Sequence, residues 1–185
     1  MKTLYIISGC NGAGKTTASV TILPEILKCK EFVNADEIAR GVSPFNPESV
    51  AIQAGKLMLQ RIEYLIRGND SFSIETTLST KTYAALVEKA HQNGFEVQLL
   101  YFWLPTPEHA VARVAQRVKE GGHNIPKDVI YRRYYSGIKN LLEIFIPIVD
   151  YWVIVDNSKN PREIIAEDGI IYNKSPFNKI KNYGK

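Results

Sequence analysis

Apolar residues fall into two rhythms along this chain. Short β-branched or aromatic runs over 4–8, 32–34, 71–75, 97–104 and 151–155 read as strands. Between them, apolar residues recur at three- and four-residue spacing, as on a helix. The clearest case is 47–67, where Val50, Ala54, Leu57, Met58, Ile62 and Leu65 form one stripe closed by Gly68. Further helices are expected over 15–28, over 80–92 with a stop at Gly94, over 107–119, and from Pro126 to about Pro147. The run over 97–104 is the most hydrophobic, which predicts a central strand buried on both faces. Alternating strands and helices predict an α/β fold, a parallel sheet covered by helices in three layers. One domain is expected to span 1–185, with a weakly patterned, partly irregular tail over about 160–185.

In the helix over 107–119, Val111, Val114 and Val118 share one face, and Arg113 and Arg117 lie opposite. In the next helix Ile130, Tyr134, Ile138, Leu141 and Phe145 make the apolar face. Arg133, Ser136 and Asn140 run beside it, and Arg132 faces away. Gly121-Gly122 between the two helices reads as a hinge, so the segment over about 113–135 is expected to be a lid. His123 in that hinge is a lone histidine and reads as structural. Tyr131, Tyr134 and Tyr135 could interleave with nucleobases, but the spacing puts Tyr134 in the core.

Composition narrows the partners. The chain carries 23 basic and 19 acidic residues, a formal charge of +4. That suits an anionic ligand and is too weak to argue for nucleic acid. The two cysteines, Cys10 and Cys29, form no CxxC pair or Cys/His cluster, so neither a zinc site nor a disulfide framework is expected. The apolar run over 4–8 is shorter than a signal-peptide core, and no stretch approaches transmembrane length. The expectation is a cytoplasmic protein with no membrane partner.

The chemistry starts at Gly9-Cys10-Asn11-Gly12-Ala13-Gly14-Lys15-Thr16, an unbroken G-x-x-x-x-G-K-[ST] motif between an expected strand and helix. Backbone N–H groups of such a loop wrap phosphates, and the following helix turns its positive end toward them. Lys15 is expected to neutralise the β- and γ-phosphates and Thr16 to hold Mg²⁺. Thr17 continues the loop. In open α/β sheets, ligands bind at strand C-termini. Two acidic residues lie at such ends, Asp36 and Glu75. Asp36 is the candidate to orient or deprotonate an acceptor hydroxyl, with helix N-cap as the competing role. Glu75 is read as acceptor-binding, metal-assisting or the anchor of a buried network. Thr77 beside it is read as acceptor-binding or as part of a turn, and Arg40 as a further substrate contact.

With these segments placed, the chain resembles the zeta-toxin family of P-loop kinases, in its compact single-domain branch. The resemblance rests on the phosphate loop through Thr17, Asn34-Ala35-Asp36, Ala54-Gly55-Lys56-Leu57-Met58-Leu59, and Glu75-Thr76-Thr77-Leu78-Ser79. It continues through Arg113-Val114 with Arg117-Val118, Gly121-Gly122-His123, Arg132-Arg133-Tyr134 and Asp156-Asn157-Ser158. It implies a mainly parallel five-stranded sheet with a helical lid, ATP or GTP with Mg²⁺, and a hydroxylated acceptor such as UDP-N-acetylglucosamine. It further implies Asp36 as general base, Glu75 and Thr77 at the acceptor, and Lys15 with Arg117 and Arg133 on the phosphates. Asp156-Asn157, with Asn157 as the nucleotide contact, is implied near the base, a strand-terminating turn being the competing role, and an antitoxin is an implied partner. Two other readings stay open: a non-catalytic nucleotide-binding module of a toxin–antitoxin complex, and a polynucleotide 5′-hydroxyl kinase.

Overall fold

The computed structural model describes residues 2–122 and 124–184, so His123 lies outside the described residues. Five strands run parallel: β1 (Lys2–Ser8), β2 (Glu31–Val33), β3 (Phe72–Thr76), β4 (Phe95–Trp103) and β5 (Tyr151–Asp156). Parallel neighbours cannot be joined by tight turns, so a crossover connects each to the next. The expected five-stranded sheet is therefore present but is not the whole of it. Among the described residues the sheet has seven strands, in the order β2-β3-β1-β4-β5-β6-β7. The extra two, β6 (Glu163–Glu167) and β7 (Ile170–Ile171), add in antiparallel sense beside β5. β4 occupies the middle of the order, as its continuous apolar run predicts.

The helices are α1 (Lys15–Thr21), α2 (Ala35–Val42), α3 (Ala51–Arg67), α4 (Thr82–Gln92), α5 (Pro107–Lys119), α6 (Lys127–Asn140) and α7 (Lys174–Tyr183). α1 packs on β1, α3 on β2, α4 on β4 and α7 on β6, while α5 and α6 pack on each other. Three expected helices change character along their length. The one over 15–28 leaves α geometry after Thr21 for a π turn over Ile22–Ile26. Pro24 lies in that turn and has no N–H to donate, so the ladder widens, and Leu27 N–H reaches back to Ile22 O at 3.0 Å. The one over 47–67 opens with a 3₁₀ turn, Pro47–Val50. α6 likewise passes into a π turn, Leu141–Phe145.

The tail corrects an expectation of irregularity. β6 contributes Ile165 and Ala166 to the core, and α7 contributes Ile180. The Tyr183 ring sits edge-on to Tyr134 at 5.7 Å between centroids. Core packing also holds Tyr134, which is 1% exposed, so its ring is not available to stack on a base. No helix among the described residues is long and apolar enough to cross a membrane.

Candidate active site

The sheet order decides which side chains meet. β3 lies between β1 and β2, so the end of β3 is flanked by the loop leaving β1 and by the residues leaving β2. Glu75 sits there as a hub. One carboxylate oxygen accepts from Thr16 Oγ1 at 2.7 Å and from Asn34 Nδ2 at 2.9 Å. The other lies 3.6 Å from Lys15 Nζ. Lys15 also donates to the Cys10 carbonyl at 3.1 Å. Both side chains of the Lys15–Glu75 pair are about nine-tenths covered, so each charge depends on the other for compensation.

The phosphate loop over 9–16 needs its glycines for different reasons. Gly9 has φ 140° and leaves β1 so close to β4 that a Cβ would overlap the Phe102 carbonyl oxygen. Gly14 has φ 77° and faces the Asn157 amide, which a Cβ would approach to 2.7 Å. Burial pushes the Cys10 thiol up to about 11, against the opposing pull of Lys15 and Arg113. It stays protonated at neutral pH and is no nucleophile.

Asp36 does not end a strand, nor does it cap a helix. β2 stops at Val33, and Asn34 is the N-cap of α2, its Oδ1 accepting the Asp36 N–H at 2.8 Å. Asp36 therefore occupies the first turn of α2, where a negative charge is favoured, with its side chain exposed in a cleft. That cleft, about 670 Å³, has the phosphate loop on one wall and Asp36, Arg40 and Glu75 on another. Arg113, Arg117 and Gly121-Gly122 line it from the α5 side.

A second cleft of about 370 Å³ shares Asp36 and continues past Ala39, Ile125 and Val129 to Arg132 and Arg133. A third, about 610 Å³, starts from Gly14 and Thr17 and runs between Arg113 and the β5–β6 loop at Asn157 and Arg162.

Asn11, Gly12, Gly14, Lys15, Thr16, Thr17, Asp36, Arg40, Glu75 and Arg117 thus share the first cleft. Gly9, Cys10 and Ala13 form the body of the loop, with Cys10 and Ala13 buried beneath it. Arg133 stands in the second cleft, its Nη1 3.4 Å from Asn11 Oδ1. Arg40 pairs with Glu37 at 3.2 Å in solvent. Thr77 lines none of the three clefts. Its hydroxyl meets Ser79 Oγ at 2.8 Å, the turn alternative, and its carbonyl backs onto α6 at Gly137.

The wheel drawn for α5 is corrected too. Ala110 and Val114 are buried, whereas Val118 is exposed. Gly12 explains the rotation: a Cβ there would come within 2.9 Å of the Ala110 carbonyl, so α5 lies on the loop through its small residue. Arg113 is half-buried rather than free, and its Nη2 donates to the Asn157 carbonyl at 2.8 Å.

Asn34, Arg132 and Arg162 are site residues that sequence reasoning did not assign. For Asn34 a signal existed, since Asn before a charged helical turn is a strong N-cap pattern.

The fold and the loop define a protein of the P-loop kinase-like class. The family model for Zeta toxin matches residues 1–160, and the chain belongs to that family. An uncharacterized protein of Haemophilus influenzae is 32% identical over 126 residues, covering 68% of this chain and 88% of that one. The AvrRxo1-ORF1:-ORF2 structure with ATP superposes with a TM-score of 0.78 at 19% identity, over 97% of this chain. This chain spans 63% of that one. The PezAT toxin–antitoxin system of Streptococcus pneumoniae gives 0.74 at 19% identity, over 99% of this chain and 78% of that one. A gluconokinase from Sinorhizobium meliloti gives 0.54 at 11% identity, over 99% and 93%. At such identities the likeness speaks for the fold.

Proposed function

We propose that this protein is a kinase that moves the γ-phosphoryl group of ATP or GTP to a hydroxyl of a small acceptor. The observation that carries it is the single cleft in which Lys15, Thr16 and Glu75 face Asp36. Phosphoryl transfer asks the protein for positioning and positive charge, with one carboxylate for the acceptor proton. Lys15 turns from Cys10 and Glu75 to the β- and γ-phosphates. The Thr16 hydroxyl and the Glu75 carboxylate are hard oxygen donors 2.7 Å apart, and they fit Mg²⁺ bound together with a nucleotide. When bound, that ion neutralises charge on the β- and γ-phosphates.

Asp36 takes the acceptor hydroxyl's proton as its oxygen bonds to phosphorus and the bond to the leaving diphosphate breaks. Arg117 and Arg133 approach from the α5–α6 side, which acts as a lid over about 113–135 of one domain. The second cleft, adjoining Asp36, holds the acceptor. A sugar nucleotide such as UDP-N-acetylglucosamine is the leading acceptor, on family resemblance, with Arg40 of the first cleft as a further contact. Because the PezAT system is a toxin–antitoxin one, an antitoxin is the protein partner we assign. The cytoplasm is the place we assign, on the sequence reading.

Incubation with γ-labelled ATP and a cell metabolite extract tests this. A labelled small molecule is expected with the unaltered protein and none with Lys15→Ala. Nucleotide binding without any labelled product would leave only a non-catalytic module.

A further inference from the structure

Asn157 directly follows β5 and lines the third cleft, beside the phosphate loop. Its side chain is already committed. Nδ2 donates to the Ala13 carbonyl at 2.6 Å, and Oδ1 accepts from Arg162 Nε at 2.7 Å. These partners fix the amide's orientation, because a carbonyl only accepts and a guanidinium N–H only donates. The main chain is committed as well: the Asn157 N–H donates to the Trp103 carbonyl at 3.0 Å, and its carbonyl accepts from Arg113. The residue is 8% exposed. Four segments therefore meet on it: the phosphate loop, the end of β4, helix α5 and the approach to β6.

The consequence lies in the Ala13–Gly14 peptide. In a planar trans peptide the C=O and the following N–H point in opposite directions. Holding the Ala13 carbonyl toward Asn157 therefore aims the Gly14 N–H away from it. Gly14 opens α1 in the left-handed conformation, and its N–H belongs to the set that a bound phosphate contacts.

We infer that Asn157 is a positioning residue for the phosphate loop rather than a reader of the base. Its amide locks the Ala13–Gly14 peptide in its phosphate-binding orientation, and Arg162 locks the amide. The inference rests on the kinase reading only in taking a nucleoside polyphosphate as the ligand.

Binding of MgATP and of Mg–tripolyphosphate, which has no base, separates the possibilities by calorimetry. Asn157→Asp keeps the shape but sets a carboxylate oxygen against the Ala13 carbonyl. Both ligands are expected to bind about tenfold more weakly or worse, by loss of a buried hydrogen bond and its replacement with repulsion. Loss for MgATP alone would make Asn157 a base contact and overturn the inference, as would unchanged binding of both. Arg162→Met leaves the Asn157–Ala13 bond possible but frees the amide, and a smaller loss shared by both ligands is expected. That second variant decides the matter if Asn157→Asp melts early. An unaltered protein that binds neither ligand would overturn the kinase reading along with this one.

Discussion

Glu75 and Asp36 are both carboxylates of one cleft, yet they stand in opposite surroundings. Glu75 is covered and gathers Lys15, Thr16 and Asn34, while Asp36 is exposed and, among the described residues, is tied to the site through its backbone N–H to Asn34. Their amide variants should separate accordingly. Asp36→Asn removes a proton acceptor whose part in the fold is limited to its favourable charge in the exposed first turn of α2. The expected result is a fall in kcat of about 10²- to 10⁴-fold with a melting temperature lower by no more than about 3 °C and unchanged nucleotide affinity. Glu75→Gln leaves Lys15 without a compensating charge and turns an NH₂ toward a donor. It is expected to cost about 1–3 kcal/mol of stability as well as activity, read from thermal melts beside the same kinetic assay. Equal melting temperatures for both variants would show that Glu75 holds nothing together. The sequence displayed the phosphate loop in full because its spacing is local. It offered Glu75 as the anchor of a buried network but not its partners, because Asn34, Thr16 and Glu75 become neighbours only once β3 inserts between β1 and β2. Nor could it show that Thr77 turns to Ser79, since that choice depends on α6 closing over its carbonyl.

α6 reaches the β3–α4 connection through two side-chain positions. Asn140 Nδ2 donates to the Leu78 carbonyl at 2.7 Å, and Gly137 lies against the Thr77 carbonyl. A Cβ at Gly137 would come within 2.6 Å of that oxygen, which is backbone and cannot rotate aside. Two effects compete in Gly137→Ala. Helix propensity favours alanine by about 1 kcal/mol, whereas overpacking costs about 1–3 kcal/mol. The clash should win, because relieving it requires α6 to move off the sheet. A melting temperature lower by about 2–8 °C is expected, and a variant as stable as the unaltered protein would refute the tight seat of α6. Periodicity predicted the apolar face of α6 correctly, with Ile130, Tyr134, Ile138, Leu141 and Phe145 all buried. It misplaced that of α5 because the helix follows Gly12, and a close approach between a glycine loop and an alanine leaves no hydrophobic signature. The tail was obscure for a similar reason. Each of β6, β7 and α7 is too short, with too few buried residues, to repeat a period.

Across the whole molecule, the parallel strands send their C-terminal ends to the site and their N-terminal ends to the opposite edge. Asp150 lies at that opposite edge, one residue before β5. Its Oδ2 accepts the Val97 N–H of β4 at 2.7 Å and meets His91 Nε2 of α4 at 2.8 Å, while its own N–H reaches the Val97 carbonyl. Burial alone would raise its pKa. The Val97 N–H and His91 outweigh that, and the carboxyl lies below its ordinary value. The sign follows from linkage: a carboxyl depressed in the folded state adds stability above its unfolded value and loses it as pH falls through its folded one. With an ordinary aspartate near pH 4, the melting temperature should drop on acidification below about pH 4, and Asp150→Asn should flatten that limb while lowering stability at neutral pH. The effect is modest, since nearly half of the side chain is exposed and water screens it. Because this latch sits at the far ends of β4 and β5, Asp150→Asn should leave MgATP affinity at neutral pH unchanged, unlike Asn157→Asp just beyond the near end of the same strand. Melting curves between pH 7 and pH 3 for both proteins, with calorimetry at pH 7, test the two halves of the argument separately. Parallel acid limbs would remove Asp150 as the latch, and weakened nucleotide binding would mean that β5 transmits strain along its whole length.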